Sequence, residues 1–194
     1  EIIASGQADV VEMARALLAD PQLPNKARSG HTEEIRPCLR CLTCFSHLIT
    51  NGQIYCAVNP VIGRELENRY EQPAKEQKNV LIAGGGIAGM QAAITCAERG
   101  HEVTLYEATD SLGGALKFAE HEDFKVLLDK FAKWQAHQLE LKNIPVHLNT
   151  TVTREFLDSL DVDTVICAVG SNPITPDQFG IPGDNYVLGT DLFE

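Results

Sequence analysis

The 194-residue sequence contains no apolar run that is long enough to cross a bilayer, and no secretory signal pattern precedes its first folded segment. Positive charge is also scarce: 16 lysine and arginine residues stand against 27 aspartate and glutamate residues, which gives a formal net charge of −11. Because binding to a nucleic-acid backbone requires a basic patch, this balance argues against nucleic acid as a partner. We therefore predict a soluble protein without a membrane or nucleic-acid partner. The first residue is Glu1 rather than methionine, and we expect the chain to be part of a longer polypeptide.

Six cysteines are present, but they are too clustered to form a disulfide framework in a protein of this size. Four of them lie within residues 38–56. Cys96 and Cys167 fall in a predicted helix and a predicted strand, where we expect small buried hydrophobic side chains. Clustered thiols in a chain without a signal segment indicate metal binding in a reducing compartment, so we predict a cytoplasmic location.

The clustered cysteines follow the pattern C-x2-C-x2-C with a fourth cysteine beyond a loop: Cys38, Cys41, Cys44 and Cys56. This run with a remote fourth ligand is typical of iron–sulfur sites. Structural zinc prefers two separated C-x2-C pairs, and a third cysteine so close to the first two would crowd a tetrahedral site. We favour a 4Fe–4S cluster, with structural zinc and chance clustering as the alternatives. His47 lies in the same segment and is expected to be solvated rather than a ligand.

A glycine hexapeptide, G-x-G-x-x-G, follows at Gly84, Gly86 and Gly89. It comes after a predicted strand, opens a predicted helix, and precedes Glu107 at the end of the next strand, where a carboxylate would meet an adenosine ribose. In such a site Gly84 allows the tight turn, Gly86 lets the backbone approach the pyrophosphate, and Gly89 permits close packing of helix on strand. A turn required only for packing is the alternative. Glu107 disfavours NADP, but the pattern leaves NAD, FAD and ADP open.

From Asn79 onward the sequence alternates between apolar strands and amphipathic helices, as in a parallel α/β sheet. We predict strands at 80–83, 103–106, 146–148 and 164–168, and helices at 87–99 and about 123–141. Residues 67–78 are polar and contain Pro73, so they are predicted to form a linker.

Before the linker, Val10 and Val11 predict a short strand that leads into a helix at 14–19, which the prolines at 21 and 24 should break. Residues 31–66 should form loops whose order depends on a bound metal. Arg15 stands at the junction of strand and helix, where backbone N–H groups can bind an anion. Local sequence alone favours an ordinary turn with a solvated arginine.

Several motifs together resemble the NADH:flavin oxidoreductases of the 2,4-dienoyl-CoA reductase, enoate reductase and trimethylamine dehydrogenase group. The segments 6–11, 14–15 and 19–21 resemble the last strand and phosphate-binding turn of that family's FMN barrel. The segments 35–44, 56–60 and 63–65 resemble its 4Fe–4S loop. Glu107 with Leu112-Gly113-Gly114, and residues 165–170, 173 and 181–183, resemble its FAD or ADP domain.

The resemblance implies an α/β fold that combines the closing βα unit of a (βα)8 FMN barrel, a cysteine-rich 4Fe–4S loop, and part of a Rossmann-like FAD/NAD(P)-binding domain. The implied domains are residues 1–35, 36–66, a linker at 67–78, and 79–194. Arg15 matches the FMN-phosphate position and Gly114 the second glycine turn. Ala14 and Val169 depart from the family, which commonly has glycine and threonine at these positions.

The implied function is electron transfer in a flavin- and iron–sulfur-dependent oxidoreductase that uses NAD(P)H to reduce an activated C=C bond of a small-molecule substrate. The family's catalytic residues lie on earlier barrel strands, so no catalytic residue is assigned here. One alternative is an amine dehydrogenase that passes electrons from FMN through the cluster to a protein acceptor. Another is a zinc-stabilised nucleotide-binding module without a redox role. Homo-oligomerisation, the substrate and the choice between NADH and NADPH stay open.

Overall fold

The computed structural model describes residues 2–67, 72–180 and 186–188. The chain forms two compact units, residues 1–70 and 71–194, and their boundary lies within the segment that was predicted as a linker. Unit 1 contains helices α1 (Arg15–Ala19), α2 (Leu23–Ser29) and α3 (Thr43–Asn51). Unit 2 contains strands β1 (Asn79–Ala83), β2 (Glu102–Tyr106), β3 (Val146–His147) and β4 (Thr164–Cys167), and helices α4 (Ile87–Glu98), α5 (Val126–Leu141) and α6 (Arg154–Asp158). Short 3-10 helices occupy Thr32–Glu34, Glu65–Glu67, Gly114–His121, Asp123–Lys125 and Pro176–Phe179.

Unit 1 differs from the sequence-based expectation at its beginning. The strand predicted at Val10 and Val11 is wrong, since neither residue lies in a strand and Val10 is 81% exposed. An isolated extended segment gains nothing from the strand conformation unless a neighbouring strand accepts its hydrogen bonds. Residues 1–35 therefore contain the helix of the predicted βα unit without its strand. Their assignment to a barrel stays a prediction.

One further expectation for unit 1 is confirmed and one is corrected. The helix predicted at 14–19 ends at Ala19, before Pro21 and Pro24, and Pro24 itself stands in the first turn of α2, where proline's missing N–H costs no hydrogen bond. The segment 31–66 is not composed of loops alone, because α3 occupies nine of its residues. The apolar residues of α3 are largely exposed, so no buried stripe marked this helix in the sequence.

Unit 2 is built on a parallel sheet of four strands in the order β3-β2-β1-β4. β1 lies in the centre, with Ala83 paired to Tyr106 of β2 on one side and to Cys167 of β4 on the other. The carboxyl ends of the three strands therefore meet at one edge, where parallel α/β sheets bind ligands. All four predicted strands and both predicted helices of this unit form, and no end differs from the prediction by more than three residues.

The core of unit 2 lies between the sheet and α4 with α5. Buried side chains from all these elements form one cluster, which includes Val80, Ile82, Met90, Ile94, Leu105 and Leu139. Cys96 is half-buried and packs against this cluster, and burial raises the pKa of its thiol. Cys167 was predicted to be buried, but its side chain is exposed on the other face of the sheet. In the described part of the chain no helix is long and apolar enough to cross a membrane.

Candidate functional site: cysteine cavity and glycine turns

The cysteine loop owes its shape to two left-handed residues. Arg40 and Leu42 have φ angles of 56° and 60°, which non-glycine residues adopt only at a cost of about 1–2 kcal/mol each. Leu42 is also the N-cap residue of α3, which begins at Thr43, so Cys44 lies in the first turn of that helix. Strained backbone persists where surrounding structure or function requires it. The strain is concentrated between the three closely spaced cysteines.

This loop brings all four predicted cysteines to one small cavity. Cys38, Cys41, Cys44 and Cys56 line it together with apolar neighbours and Arg15, and all four thiols are free. At Cys41, burial alone would raise the pKa of the thiol, but hydrogen bonding with Thr43 and the charge of Arg15 lower it below its usual value. The Thr43 hydroxyl lies 3.2 Å from the Cys41 sulfur. The surroundings therefore favour a thiolate, which is the form that binds metals.

Zinc and a 4Fe–4S cluster differ in how their four cysteine ligands must be arranged. Among the residues that the structure describes, no three histidine, cysteine, aspartate or glutamate side chains are placed so as to hold one metal ion. A tetrahedral zinc would need four thiolates at about 2.3 Å from a single point. A 4Fe–4S cluster is instead bound by four thiolates distributed around a larger core. The structure shows four free thiols that share one cavity, and the identity of the metal centre that they would bind stays a prediction.

Two buried polar side chains fix the ends of the loop. Asp20 is 5% exposed and accepts hydrogen bonds from the Arg36 backbone N–H and the Lys26 ammonium, both at 2.8 Å. Burial alone would raise the pKa of the Asp20 carboxyl, but these hydrogen bonds and the Lys26 charge lower it. Asn59 is equally buried and donates to the Leu18 carbonyl at 2.8 Å. The residues on both sides of the cysteines are thus held to α1 and α2 without any contribution from a metal.

Arg15 and His47 were the uncertain candidates in this unit. Arg15 is the first residue of α1 and is exposed, and its side chain borders the cysteine cavity. Its assignment to an FMN phosphate stays a prediction. His47 lies on α3, packs edge-on against Tyr55 with ring centroids 4.9 Å apart, and does not line the cysteine cavity.

In unit 2, the first glycine turn is required by protein packing at two of its three pattern positions. Gly84 has a φ angle of 108°, and a Cβ there would overlap the Ala168 carbonyl at the end of β4. A Cβ at Gly89 would overlap the Gly84 carbonyl, so only glycine lets α4 approach the turn. Gly85, at a position that the pattern leaves free, is also constrained, because a Cβ there would meet the Leu112 side chain at 2.5 Å.

Gly86 is different from its neighbours. Its φ angle is −74°, and a Cβ added there would meet only the Gly114 Cα, at 3.8 Å. Neither backbone conformation nor protein packing requires glycine at this position. Gly86 precedes α4, whose first turn has no side-chain cap, and backbone N–H groups at such a helix N-terminus can bind an anion. The open space at Gly86 fits the close approach of a pyrophosphate.

A second glycine turn lies against the first. Gly113 and Gly114 have φ angles of 119° and 54°, and the Gly113 N–H donates to the Gly85 carbonyl at 2.9 Å. A Cβ at Gly114 would meet the Gly86 Cα at 2.9 Å. Gly114, which was predicted as a cofactor residue, therefore lies beside Gly86. The two turns pack against each other at the carboxyl edge of the sheet.

Glu107 lies between the two turns. Its Oε2 accepts a hydrogen bond from the Gly85 N–H at 2.6 Å, and its Oε1 accepts from the Thr109 N–H and hydroxyl, both at 2.8 Å. Burial alone would raise the pKa of the Glu107 carboxyl, but these hydrogen bonds and the nearby Lys117 charge lower it. The carboxylate is thus ionised and fixed in position. Sequence reasoning missed Thr109 and Lys117, for which no motif spacing gives a signal.

Comparisons with known proteins agree with this geometry. The model of a family described as "NAD(P)-binding Rossmann-like domain" matches residues 82–141. The chain is 41% identical over 187 residues to an NADH oxidase of Thermoanaerobacter brockii, covering 95% of this chain and 29% of that protein. It is 39% identical over 176 residues to a cinnamate reductase of Clostridium sporogenes, covering 90% of this chain and 26% of that protein. The chain thus spans somewhat more than a quarter of the length of these relatives.

Solved structures give the same result. A 2-naphthoyl-CoA reductase superposes with a TM-score of 0.86 at 33% identity, covering 90% of this chain and 27% of that one. A histamine dehydrogenase from Rhizobium sp. 4-9 superposes with a TM-score of 0.79 at 27% identity, covering 88% of this chain and 26% of that one. A reductase and an amine dehydrogenase therefore share the fold of this chain over most of its length.

Proposed function

The chain is a relative of the NADH:flavin oxidoreductase family over the part that it spans, and we propose that it is the electron-transfer portion of such an enzyme. The observation that carries this proposal is the cysteine cavity, where four free thiols from two segments of the chain meet. Thiols that serve only as small apolar side chains need not share a cavity. Cys38, Cys41, Cys44 and Cys56 would each bind one iron of a 4Fe–4S cluster.

The glycine turns of unit 2 would hold the adenosine diphosphate part of FAD. Gly86 provides the open approach, the first turn of α4 provides N–H groups for the pyrophosphate, and Glu107 accepts from the ribose. When bound, the flavin would exchange electrons with a nicotinamide, and the cluster would transfer single electrons. The protein's own contribution is to bind and orient these groups.

We further propose that the intact enzyme reduces an activated C=C bond of a small molecule with electrons from NAD(P)H. The similarity to proteins named cinnamate reductase and 2-naphthoyl-CoA reductase supports this direction. FMN would serve as the flavin nearest the substrate, with Arg15 at its phosphate. The similarity to a histamine dehydrogenase supports a second candidate, in which an amine is oxidised and electrons pass to a protein acceptor.

The first test is to measure iron, zinc and acid-labile sulfide in anaerobically purified protein, together with flavin content. We expect near-equal iron and sulfide, and an electron paramagnetic resonance signal after reduction. The Cys41→Ala variant should lose the cluster, whereas Cys167→Ala, which removes an exposed thiol outside the cavity, should retain it. Zinc without sulfide would support the zinc-stabilised nucleotide module and contradict electron transfer.

The second test concerns direction. Anaerobic mixing of the full-length protein with NADH should bleach the flavin absorbance and then reduce the cluster. Flavin reduction by an amine, with no response to NADH or NADPH, would instead favour the dehydrogenase candidate.

A further inference from the structure

A chain of hydrogen bonds connects the two glycine turns through Glu107. The Lys117 ammonium, on the 3-10 helix that begins at Gly114, donates to the Thr109 hydroxyl at 2.6 Å. The Thr109 hydroxyl donates to Glu107 Oε1 at 2.8 Å, and Glu107 Oε2 accepts from the Gly85 N–H. Because the Lys117 ammonium donates to the Thr109 hydroxyl oxygen, the hydroxyl's own proton points towards another acceptor. Glu107 Oε1 at 2.8 Å is nearer than the Ser111 carbonyl at 3.1 Å.

Backbone hydrogen bonds also fix residues 107–109, which carry the Glu107 and Thr109 side chains of this series of hydrogen bonds. The Glu107 N–H donates to the His147 carbonyl at 2.9 Å, and the Glu107 carbonyl accepts from the Thr150 N–H at 2.8 Å. The Thr109 carbonyl accepts from the Asn149 N–H at 2.8 Å. Residues 107–109 therefore extend the pairing of β2 with β3, and the Glu107 carboxylate has little freedom to change its orientation.

The number of acceptor positions limits what the carboxylate can bind. A carboxylate offers about four lone-pair positions, two on each oxygen. Both positions on Oε1 are taken by Thr109, and one of those on Oε2 is taken by Gly85. One position is left, on Oε2. It can accept from a single ribose hydroxyl, so the second hydroxyl of an adenosine ribose needs another partner.

We propose that Thr109 and Lys117 are specificity-determining residues of the ribose site: Thr109 leaves Glu107 with one acceptor for one ribose hydroxyl, and Lys117 donates to the other. Lys117 is suited to this role, because its ammonium has three protons and the contact with Thr109 uses one. The site would then recognise a vicinal diol through an acceptor and a donor of opposite charge. This inference rests on the proposed dinucleotide function of the glycine turns.

The experiment compares ADP with 2′-deoxy-ADP and 3′-deoxy-ADP by isothermal titration of the flavin-free full chain. Wild-type protein should bind each deoxy analogue about tenfold more weakly than ADP, as expected for loss of a hydrogen bond to a charged group. Lys117→Met should reduce this ratio to near one for one analogue and leave it for the other. Thr109→Val, which removes the hydroxyl that Lys117 contacts, should reduce the ratio for the same analogue as Lys117→Met, while Thr109→Ser, which keeps the hydroxyl, should leave both ratios as in the wild-type protein.

Lys130→Met is the matched control, because Lys130 is an exposed lysine of α5 outside the hydrogen-bond chain. It should leave both ratios unchanged. A Lys117→Met variant that weakens all three ligands equally would overturn the inference, since a merely structural role changes every affinity by the same factor. Wild-type binding of ADP together with unchanged ratios in all variants would overturn the inference but leave the dinucleotide site standing. Failure of wild-type protein to bind ADP would overturn both.

Discussion

At the scale of single residues, Gly86 and Gly89 belong to one hexapeptide but are glycine for different reasons. A Cβ at Gly89 would overlap the Gly84 carbonyl, whereas a Cβ at Gly86 would have no protein contact closer than 3.8 Å. Gly89 is therefore needed by the fold, whereas neither packing nor backbone conformation explains glycine at Gly86. Glycine at Gly86 fits the proposed dinucleotide site, which a turn required for packing alone would not need.

We therefore expect a glycine-to-alanine substitution to impair mainly stability at Gly89 and mainly ADP binding at Gly86. Gly89→Ala should destabilise unit 2 by about 2 kcal/mol or more, because α4 would have to move away from the turn. Gly86→Ala should cost about 1 kcal/mol or less, because alanine is a poorer N-cap residue than glycine, yet weaken ADP binding about tenfold. Urea unfolding followed by fluorescence of Trp134, which is 6% exposed in α5, measures stability, and titration measures binding. Unimpaired ADP binding by Gly86→Ala would contradict the assigned role.

These residues also show which parts of a site the sequence can predict. The positions of Gly84, Gly86, Gly89 and Glu107 follow from one strand, one turn and one helix, so a local pattern contains them. Lys117 reaches Thr109 only because the turn at Gly113 directs the following 3-10 helix back towards β2. That contact depends on how separate elements pack, and no fixed spacing describes it.

At the scale of secondary-structure elements, strands and helices that bury a continuous apolar face were predicted correctly. β1, β2, α4 and α5 all contribute to the core of unit 2, and their apolar spacing is visible in the sequence. α3 was missed, because Phe45, Leu48 and Ile49 on it are about half exposed or more and no periodic buried stripe exists. The strand predicted at Val10 failed for the complementary reason, since apolar character alone cannot form a strand without a neighbour.

Asp20 joins Lys26 of α2 to the Arg36 N–H at the start of the cysteine loop, and these contacts predict a stability that depends on pH. The pKa of the Asp20 carboxyl is lowered in the folded protein, so its contribution to stability is present above the unfolded pKa of about 3.9 and is lost as pH falls through the folded pKa. Asp20→Asn should lower the free energy of unfolding by about 2 kcal/mol at pH 7. The difference between wild type and variant should shrink towards pH 3.

Chemical denaturation at pH 7 and pH 3, followed by circular dichroism, measures this effect. Asp9→Asn provides the control, because Asp9 is an exposed aspartate of the same unit. A stability difference for Asp20→Asn that is the same at both pH values would mean that the carboxylate charge does not stabilise the loop.

At the scale of the whole molecule, the chain combines two units that differ in how much apolar core each of them buries. Unit 2 has a sheet, two packed helices and a buried core of its own. Among the described residues, most of the buried apolar side chains belong to unit 2, while Ala19, Val58 and Ile62 are those of unit 1. A small unit with so few buried side chains commonly depends on a metal or another covalent constraint for its stability.

Removal of the proposed cluster should therefore loosen unit 1, but only between its Asp20 and Asn59 anchors. The hydrogen bonds of Asp20 with the Arg36 N–H and of Asn59 with the Leu18 carbonyl do not involve the thiols, so they should survive. We expect anaerobic chelation of iron to accelerate amide hydrogen exchange at residues 37–58, including α3, by at least about tenfold. The amides of Arg36 and Val61, which are bound by the Asp20 and Asn59 side chains, should remain protected.

The sheet of unit 2 serves as the internal reference in this experiment, since it contains none of the four cysteines. Exchange that stays slow throughout residues 37–58 would mean that the loop is rigid without its metal and that the cluster serves electron transfer alone. Loss of protection at Arg36 and Val61 as well would mean that the anchors depend on the metal. Acceleration confined to residues 37–58 would instead mean that the metal orders the loop. The buried Asp20 and Asn59 side chains would then order its ends.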